Sequence, residues 1–321
     1  MIDAETGSEV VGAEDLDIDR ANGRIFASAY DRRVSEKAAK NKAPSIPGGG
    51  IYAIDLSALL DARGSLKISS MISAGALEEG LRPHGISFDK NTGALDFINR
   101  GYSRDGSNWR MTPQILRIDL EGAITSVADD PECSANDVAA AQGRLFVTLD
   151  HGSCGWRASL EDIFGGKHGR LVDAHRTTLL SGIGFANGVI VTDDGRLFVA
   201  ATRDKAVLAV TVDENGATAG QKASALGAPD NLTLSDRGNV VAAVHPSLLS
   251  LGMQRRLGIG RSPSRVVEFD FDRGKLHVLF DDPKASLISA ASAAVLSADA
   301  LIIGSVLDRG LVVCRKDPAA L

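Results

Sequence analysis

The sequence predicts an all-β fold, a six-bladed β-propeller of four-stranded antiparallel blades. Three observations carry that expectation. A glycine-led apolar run recurs at the period of a propeller blade, and alternating strands flank each copy. In addition, 34 glycines stand beside only 10 Phe, 3 Tyr and 2 Trp in 321 residues, a composition suited to many short strands and tight turns.

The recurring run starts at a turn residue and glycine, then continues in Val, Leu, Ile, Phe or Ala. Its copies are Gly23–Phe26, Gly93–Phe97, Gly143–Val147, Gly195–Val199 and Gly238–Val241, with a sixth, lacking the glycine, at Asp299–Ile303. The glycines at 23, 93, 143, 195 and 238 lie 70, 50, 52 and 43 residues apart, a blade's period and not a helical repeat's. Upstream of each turn lies a period-2 stretch: Asp15–Asp19, Gly85–Asp89, Asp137–Ala141, Gly188–Thr192, Leu232–Ser235 and Ala293–Ser297. Downstream lies another: Ile51–Leu56, Gln114–Leu120, Gly169–Ala174, Ala206–Val212, Arg265–Phe271 and Gly310–Arg315. Fourth strands are legible at Ile124–Ala128 and Leu276–Phe280. The sixth copy has none, so the N-terminal stretch Thr6–Gly12 is expected to complete that blade and remove an open edge. No Pro/Gly/Ser linker divides the chain, and residues 1–321 read as one domain.

Charge and cysteine usage exclude several functions. Lys and Arg number 35 against 41 Asp and Glu and are scattered, so no nucleic-acid partner is expected. The longest uncharged, mostly apolar run, Ala285–Ala298, is too short to span a bilayer. Met1–Val10 carries Asp3, Glu5 and Glu9, unlike a secretory signal. Cys133, Cys154 and Cys314 fit neither a disulfide framework nor a zinc spacing, and read as small unpaired apolar residues. These features point to a cytoplasmic protein of a reducing compartment with no membrane partner. They leave the oligomeric state open.

In a propeller the residues just before each blade's first strand meet at one mouth of the central channel. Those positions read Glu14, His84, Asn136, Asn187, Asn231 and Ser292, with Asp230 beside Asn231. Singly, Asn and Asp are ordinary turn residues at strand starts. As a ring on one axis, their oxygens are unfavourable without a partner. An all-oxygen set selects a hard cation, and several amides favour Ca²⁺ over Mg²⁺. Glu14 and Asp230 would neutralise it. Asp15 and Asp137 follow Glu14 and Asn136 directly and, by strand alternation, could hold a second ion deeper in the channel with help from a backbone carbonyl.

Six motifs in this order carry a resemblance: Ala13–Leu16, Pro83–Ser87, Asn136–Val138, Phe185–Gly188, Asp230–Asn231 and Val244–Pro246. Together they resemble the paraoxonase (arylesterase) family from about Gly12 to Pro246, and more weakly over the last fifth. The resemblance implies a six-bladed propeller with two calcium ions that hydrolyses lactones and aryl esters. By motif, Glu14, Asn136, Asn187, Asp230 and Asn231 would ligate the catalytic calcium, and Asp15, Asp137 and the carbonyl of Ile86 the structural one. His84 matches the family's proposed catalytic histidine. The place of a second histidine reads Asn99–Arg100, so the dyad partner is missing and Arg100 is a candidate to bind an anionic substrate group. His151 and His245 match histidines near the family's pocket. The hydrophobic N-terminal anchor and the N-terminal cysteine of animal members are absent, as in a soluble bacterial-type member.

Four long second-to-third-strand connections, Asp31–Gly50, Gly101–Pro113, His151–His168 and Pro246–Ser264, are expected as loops walling that mouth. His168, His175 and His277 read as structural. The expected function is calcium-dependent hydrolysis of a small lactone or aryl ester, with His84 or Asp230 as base or Asp230 as nucleophile. The alternatives are a gluconolactonase-like sugar lactonase with one divalent ion, or a non-catalytic propeller scaffold.

Overall fold

The computed structural model describes residues 1–73, 75–128, 131–141, 143–213 and 216–316. Six antiparallel blades ring a central channel, as the repeat predicts. Their inner strands are Ala13–Asp19, Pro83–Asp89, Ala135–Ala141, Ala186–Val191, Ala228–Leu234 and Ala291–Leu296. Blades two to five are four-stranded meanders in chain order. Small and β-branched residues from neighbouring sheets pack between the blades. Ala13, Leu16, Ile25 and Ala27 of the first blade meet Ala293, Val295 and Ile302 of the sixth in one such layer.

Closure differs in detail from the expectation. The first residues do join blades one and six, but not as a fourth strand of the sixth. Ile2–Asp3 pairs in parallel with Lys67–Ile68 at the outer edge of blade one, anchored by the Tyr52 hydroxyl donating to Asp3 Oδ2 at 2.7 Å. The N-terminal segment's backbone pairing with blade six is one bridge, Val11 with Arg309, made by Gly12 N–H donating to Asp308 O at 2.9 Å and Gly310 N–H to Val10 O at 3.0 Å, with a Glu9–Arg309 ion pair beside it. Gly12 is required there: it sits at φ +69°, and a Cβ would come within 2.4 Å of Tyr30 O.

The four long connections are more ordered than loops. Three contain helices: α1 (Arg32–Lys40), α3 (Trp156–Phe164) and α4 (Leu248–Leu257), while α2 (Leu56–Asp61) follows the first blade's third strand. The fourth, Gly101–Pro113, is a continuation of the strand pair Ala94–Asp105 and Asn108–Ile118. Asp31 caps α1 by accepting from Val34 N, and Ser247 caps α4 by accepting from Ser250 N. None of the helices among the described residues is long and apolar enough to cross a membrane.

Cys133 and Cys154 are not free. They form a disulfide across 21 residues, Cα–Cα 6.0 Å, which ties the start of blade three to the segment entering α3. Both lie at the mouth end of that blade, where Asp150 N–H donates to Ser134 O at 2.9 Å. That adjacency is invisible in their spacing, and the bond removes the basis for a reducing compartment. Cys314 alone is free.

Candidate metal and catalytic site

Every inner strand carries the same irregularity at its channel end. The ladder to the second strand skips between Ala13 and Asp15, Pro83 and Ile86, Ala135 and Val138, Ala186 and Val189, Pro229 and Leu232, and Ala291 and Ala293. Each skip is a one-residue bulge. The bulged residues include the predicted ring, Glu14, His84, Asn136, Asn187, Asp230, Asn231 and Ser292, together with Gly85, Asp137 and Gly188. A bulge frees residues from pairing and re-aims their side chains, which turns all six blades' polar residues toward one axis. Glycines make room: a Cβ on Gly85 would lie 2.2 Å from Asp137 Oδ1, and one on Gly188 2.6 Å from Asp230 O.

The amides of the ring are anchored by their nitrogens. Asn136 Nδ2 donates to Asp150 Oδ2 at 3.0 Å, Asn231 Nδ2 to Glu14 O at 2.9 Å, and Asn187 Nδ2 to Thr202 Oγ1 at 3.2 Å and to Asp230 Oδ1. Their oxygens are left over. Asn136 Oδ1, Asn187 Oδ1, Asn231 Oδ1 and Glu14 Oε2 are all buried without a hydrogen-bond partner. Glu14 Oε2 does lie 2.7 Å from His84 Nδ1, in an alignment that leaves the oxygen without a hydrogen bond, and burial keeps the His84 ring neutral beside it. Four unsatisfied buried oxygens from four blades are anomalous, and they fit a hard cation. Among the described residues no three or more His, Cys, Asp or Glu side chains converge as a metal site, so any ion here would depend on the amide oxygens of the ring.

Glu14 and Asp15 are neighbours with opposite electrostatics. Burial raises the Glu14 carboxyl, but His84 beside it and Arg32 and Arg100 behind it overcome this and hold it at about 2. Asp15 is pushed well above the usual carboxylate range by burial, then by the charges of Asp137 and Glu14. Asp137 is raised as well, chiefly by burial. Asp15 accepts Leu16 N–H and Ile86 N–H, both at 2.8 Å, and Asp137 accepts Val138 N–H at 2.8 Å and Val189 N–H at 2.7 Å, so each clamps its own blade to the next. Ile86 therefore joins this layer through its N–H.

The four sequence-flagged functional side chains divide. His84 is fully buried, and Arg32 Nη2 lies 2.8 Å from its Nδ1 and 3.1 Å from its Nε2. Burial, then Arg100, pushes its pKa down to about 3 despite Glu14. His151 is held between Asp150 (2.6 Å) and Asp162 (2.9 Å); burial opposes its charge, but those carboxylates raise it to about 9. His245 Nε2 meets Asp230 Oδ2 at 2.7 Å, and its Nδ1 is buried without a partner. Arg100 donates to Ala135 O at 3.2 Å and keeps its Nε unpartnered. Sequence reasoning missed Arg32, Asp150 and Asp162. Only the Asp150–His151 adjacency signalled any of them.

No family model matches the sequence, nor does any curated protein. Solved structures of similar fold include a protein assigned as a gluconolactonase, with 14% identity over 96% of this chain and 92% of that one, at a TM-score of 0.56. A luciferin-regenerating enzyme shares 14% identity over 98% and 94% of the two chains, at 0.55. Virginiamycin B lyase from Staphylococcus aureus shares 10% over 97% and 98%, at 0.51. At such identities the likeness is one of fold.

Proposed function

We propose that this protein is a calcium-dependent hydrolase of small lactones or aryl esters, built like the paraoxonase family its motifs resemble. The observation that carries this reading is the set of four unpartnered buried oxygens on Glu14, Asn136, Asn187 and Asn231. With Asp230 they would hold the mouth ion, and Asp15 and Asp137 a second, whose charge would relieve their mutual repulsion. A bound calcium would polarise the substrate carbonyl and stabilise the developing oxyanion.

The remaining chemistry belongs to side chains. In the neutral tautomer with its proton on Nε2, His245 donates to Asp230 and leaves Nδ1 bare, the arrangement of an oriented general base. Both Asp230 oxygens are engaged, by His245 and Asn187, which suits an orienting carboxylate better than a nucleophile. His84 is a weaker candidate base, since Arg32 Nη2 lies against both its ring nitrogens. His151 stays protonated near neutrality and holds Asp150, which in turn anchors Asn136.

Turnover of a lactone and aryl-ester panel tests this. His245→Gln should lower kcat by roughly 10²–10⁴, and His84→Gln by less than about tenfold. The reverse order would transfer the base to His84. Full activity in chelated, metal-free protein would overturn the calcium reading. One bound divalent ion with sugar-lactone preference would favour the gluconolactonase-like alternative.

A further inference from the structure

Two buried guanidiniums lie beside the ring without a close carboxylate. Arg32, 7% exposed, bonds the Tyr30 hydroxyl and the His84 ring, and its nearest carboxylate oxygen is Glu14 Oε1 at 3.9 Å. Arg100, 9% exposed, has Asp150 Oδ2 at 3.8 Å and an unpartnered buried Nε. They flank the same histidine. Arg32 rests on its ring, and Arg100 N–H donates to Arg82 O at 2.9 Å, two residues from His84. Arg100 is depressed by burial and then by Arg32, so each feels the other's charge.

The neighbouring acids are already engaged. Glu36 pairs with Arg255 at 2.7 Å, and Asp162 is shared by His151, Arg203 and Arg256. Asp150 faces protonated His151. On the reading above, Glu14 and Asp230 neutralise the mouth ion. Arg32 and Arg100 are then two buried positive charges whose nearest carboxylates, Glu14 at 3.9 Å and Asp150 at 3.8 Å, are out of hydrogen-bond reach and shared with other partners, an arrangement that an added anion would stabilise. Arg82, by contrast, spends its guanidinium on the carbonyls of Pro47, Glu79 and Ile46 and is structural.

We infer that Arg32 and Arg100 form a clamp for a carboxylate on the substrate, so that the preferred substrates are acidic lactones or esters. This rests on the proposed function and narrows it. Guanidinium groups match a carboxylate's two oxygens in geometry and charge, and a carboxylate held there stands next to the ring that would receive the reacting carbonyl. The neutral relative of such a substrate leaves both guanidiniums with only those distant carboxylates.

Binding without turnover is the cleanest test. Calorimetric titration of calcium-loaded protein with tetrahydrofuran-2-carboxylate and with its carboxamide compares anion and neutral isostere on a ring that cannot hydrolyse. The acid should bind at least about tenfold tighter. Arg100→Gln and Arg32→Gln should each erase most of that preference, and Arg32→Lys should retain part of it. Calcium stoichiometry of each variant reports that it is folded. Equal binding of acid and amide overturns the clamp. A preference surviving both Gln variants belongs to the ion and also overturns it. Kinetics on γ-butyrolactone-γ-carboxylate and its methyl ester separate the two readings. Acid-selective binding with neither lactone hydrolysed keeps the clamp and rejects the hydrolase; hydrolysis of both with equal KM keeps the hydrolase and rejects the clamp.

Discussion

Glu14 and Asp15 are adjacent in the chain and electrostatically opposite. Glu14 is in the mouth layer, with His84, Arg32 and Arg100 around it, and it stays ionised down to about pH 2 with an oxygen unspent. Asp15 is one layer deeper, facing another buried carboxylate, Asp137, and both are driven toward protonation while their oxygens clamp backbone N–H groups of the next blade. The mouth layer thus holds an ionised carboxylate among cationic and amide groups, whereas the deeper layer joins blades together. One residue step separates an ionised carboxylate from one driven toward protonation.

Removing the deep carboxylate should have the largest effect. Asp137→Ala leaves the buried N–H groups of Val138 and Val189 without their acceptor, at about 1–3 kcal/mol each. A fall in unfolding free energy on the order of 3–5 kcal/mol is expected in denaturant titration, with or without calcium. A variant as stable as wild type would break the distinction between layers.

The second effect is a pH dependence of opposite sign in the two layers. Asp15 and Asp137 have folded pKa values raised above the ordinary 3.8. Their contribution is full below that value and is lost as pH rises through the raised folded values. Glu14, depressed from 4.5 to about 2, contributes above 4.5 and loses it only as pH falls toward 2. In chelator, Tm should therefore decline as pH rises above 3.8 and the deep pair ionises, and saturating calcium should flatten the decline. A metal-free Tm that rises over this range would reverse the assignment.

The last effect comes from the mouth. Glu14→Gln should lower metal-free stability at neutral pH, by an amount that vanishes as pH falls toward 2 because the depressed carboxyl's contribution goes with it, and should remove one of two calcium ions in a titration. Loss of both ions would mean that the layers do not bind separately.

The ring itself was legible because its residues sit at the start of each repeated inner strand, seven to nine residues before the glycine where one is present, so a periodicity argument finds Glu14, His84, Asn136, Asn187, Asn231 and Ser292 without coordinates. Arg32 was not, because it lies in the non-repeating connection between the first blade's second and third strands and reaches His84 from 52 residues away. Asp162 was missed for the same reason: it rides on α3, in a segment expected to be loop. The Cys133–Cys154 bond escaped because Cys133 precedes the start of blade three's first strand and Cys154 follows the end of its second, and only the antiparallel pairing of those strands makes them neighbours.

What the sequence determined by itself is therefore whatever repeats: six blades, their strand order, and the polar residue at each inner strand's start, since each follows from local alternation and turn chemistry. Only the tertiary structure decided which of those polar atoms are satisfied. Whether an amide oxygen has a partner, whether a carboxylate faces a guanidinium or another carboxylate, and whether the first strand closes on blade one or blade six all depend on neighbours tens to hundreds of residues away. Burial then magnifies those long-range choices, because a charge removed from water takes its state from the few groups that face it.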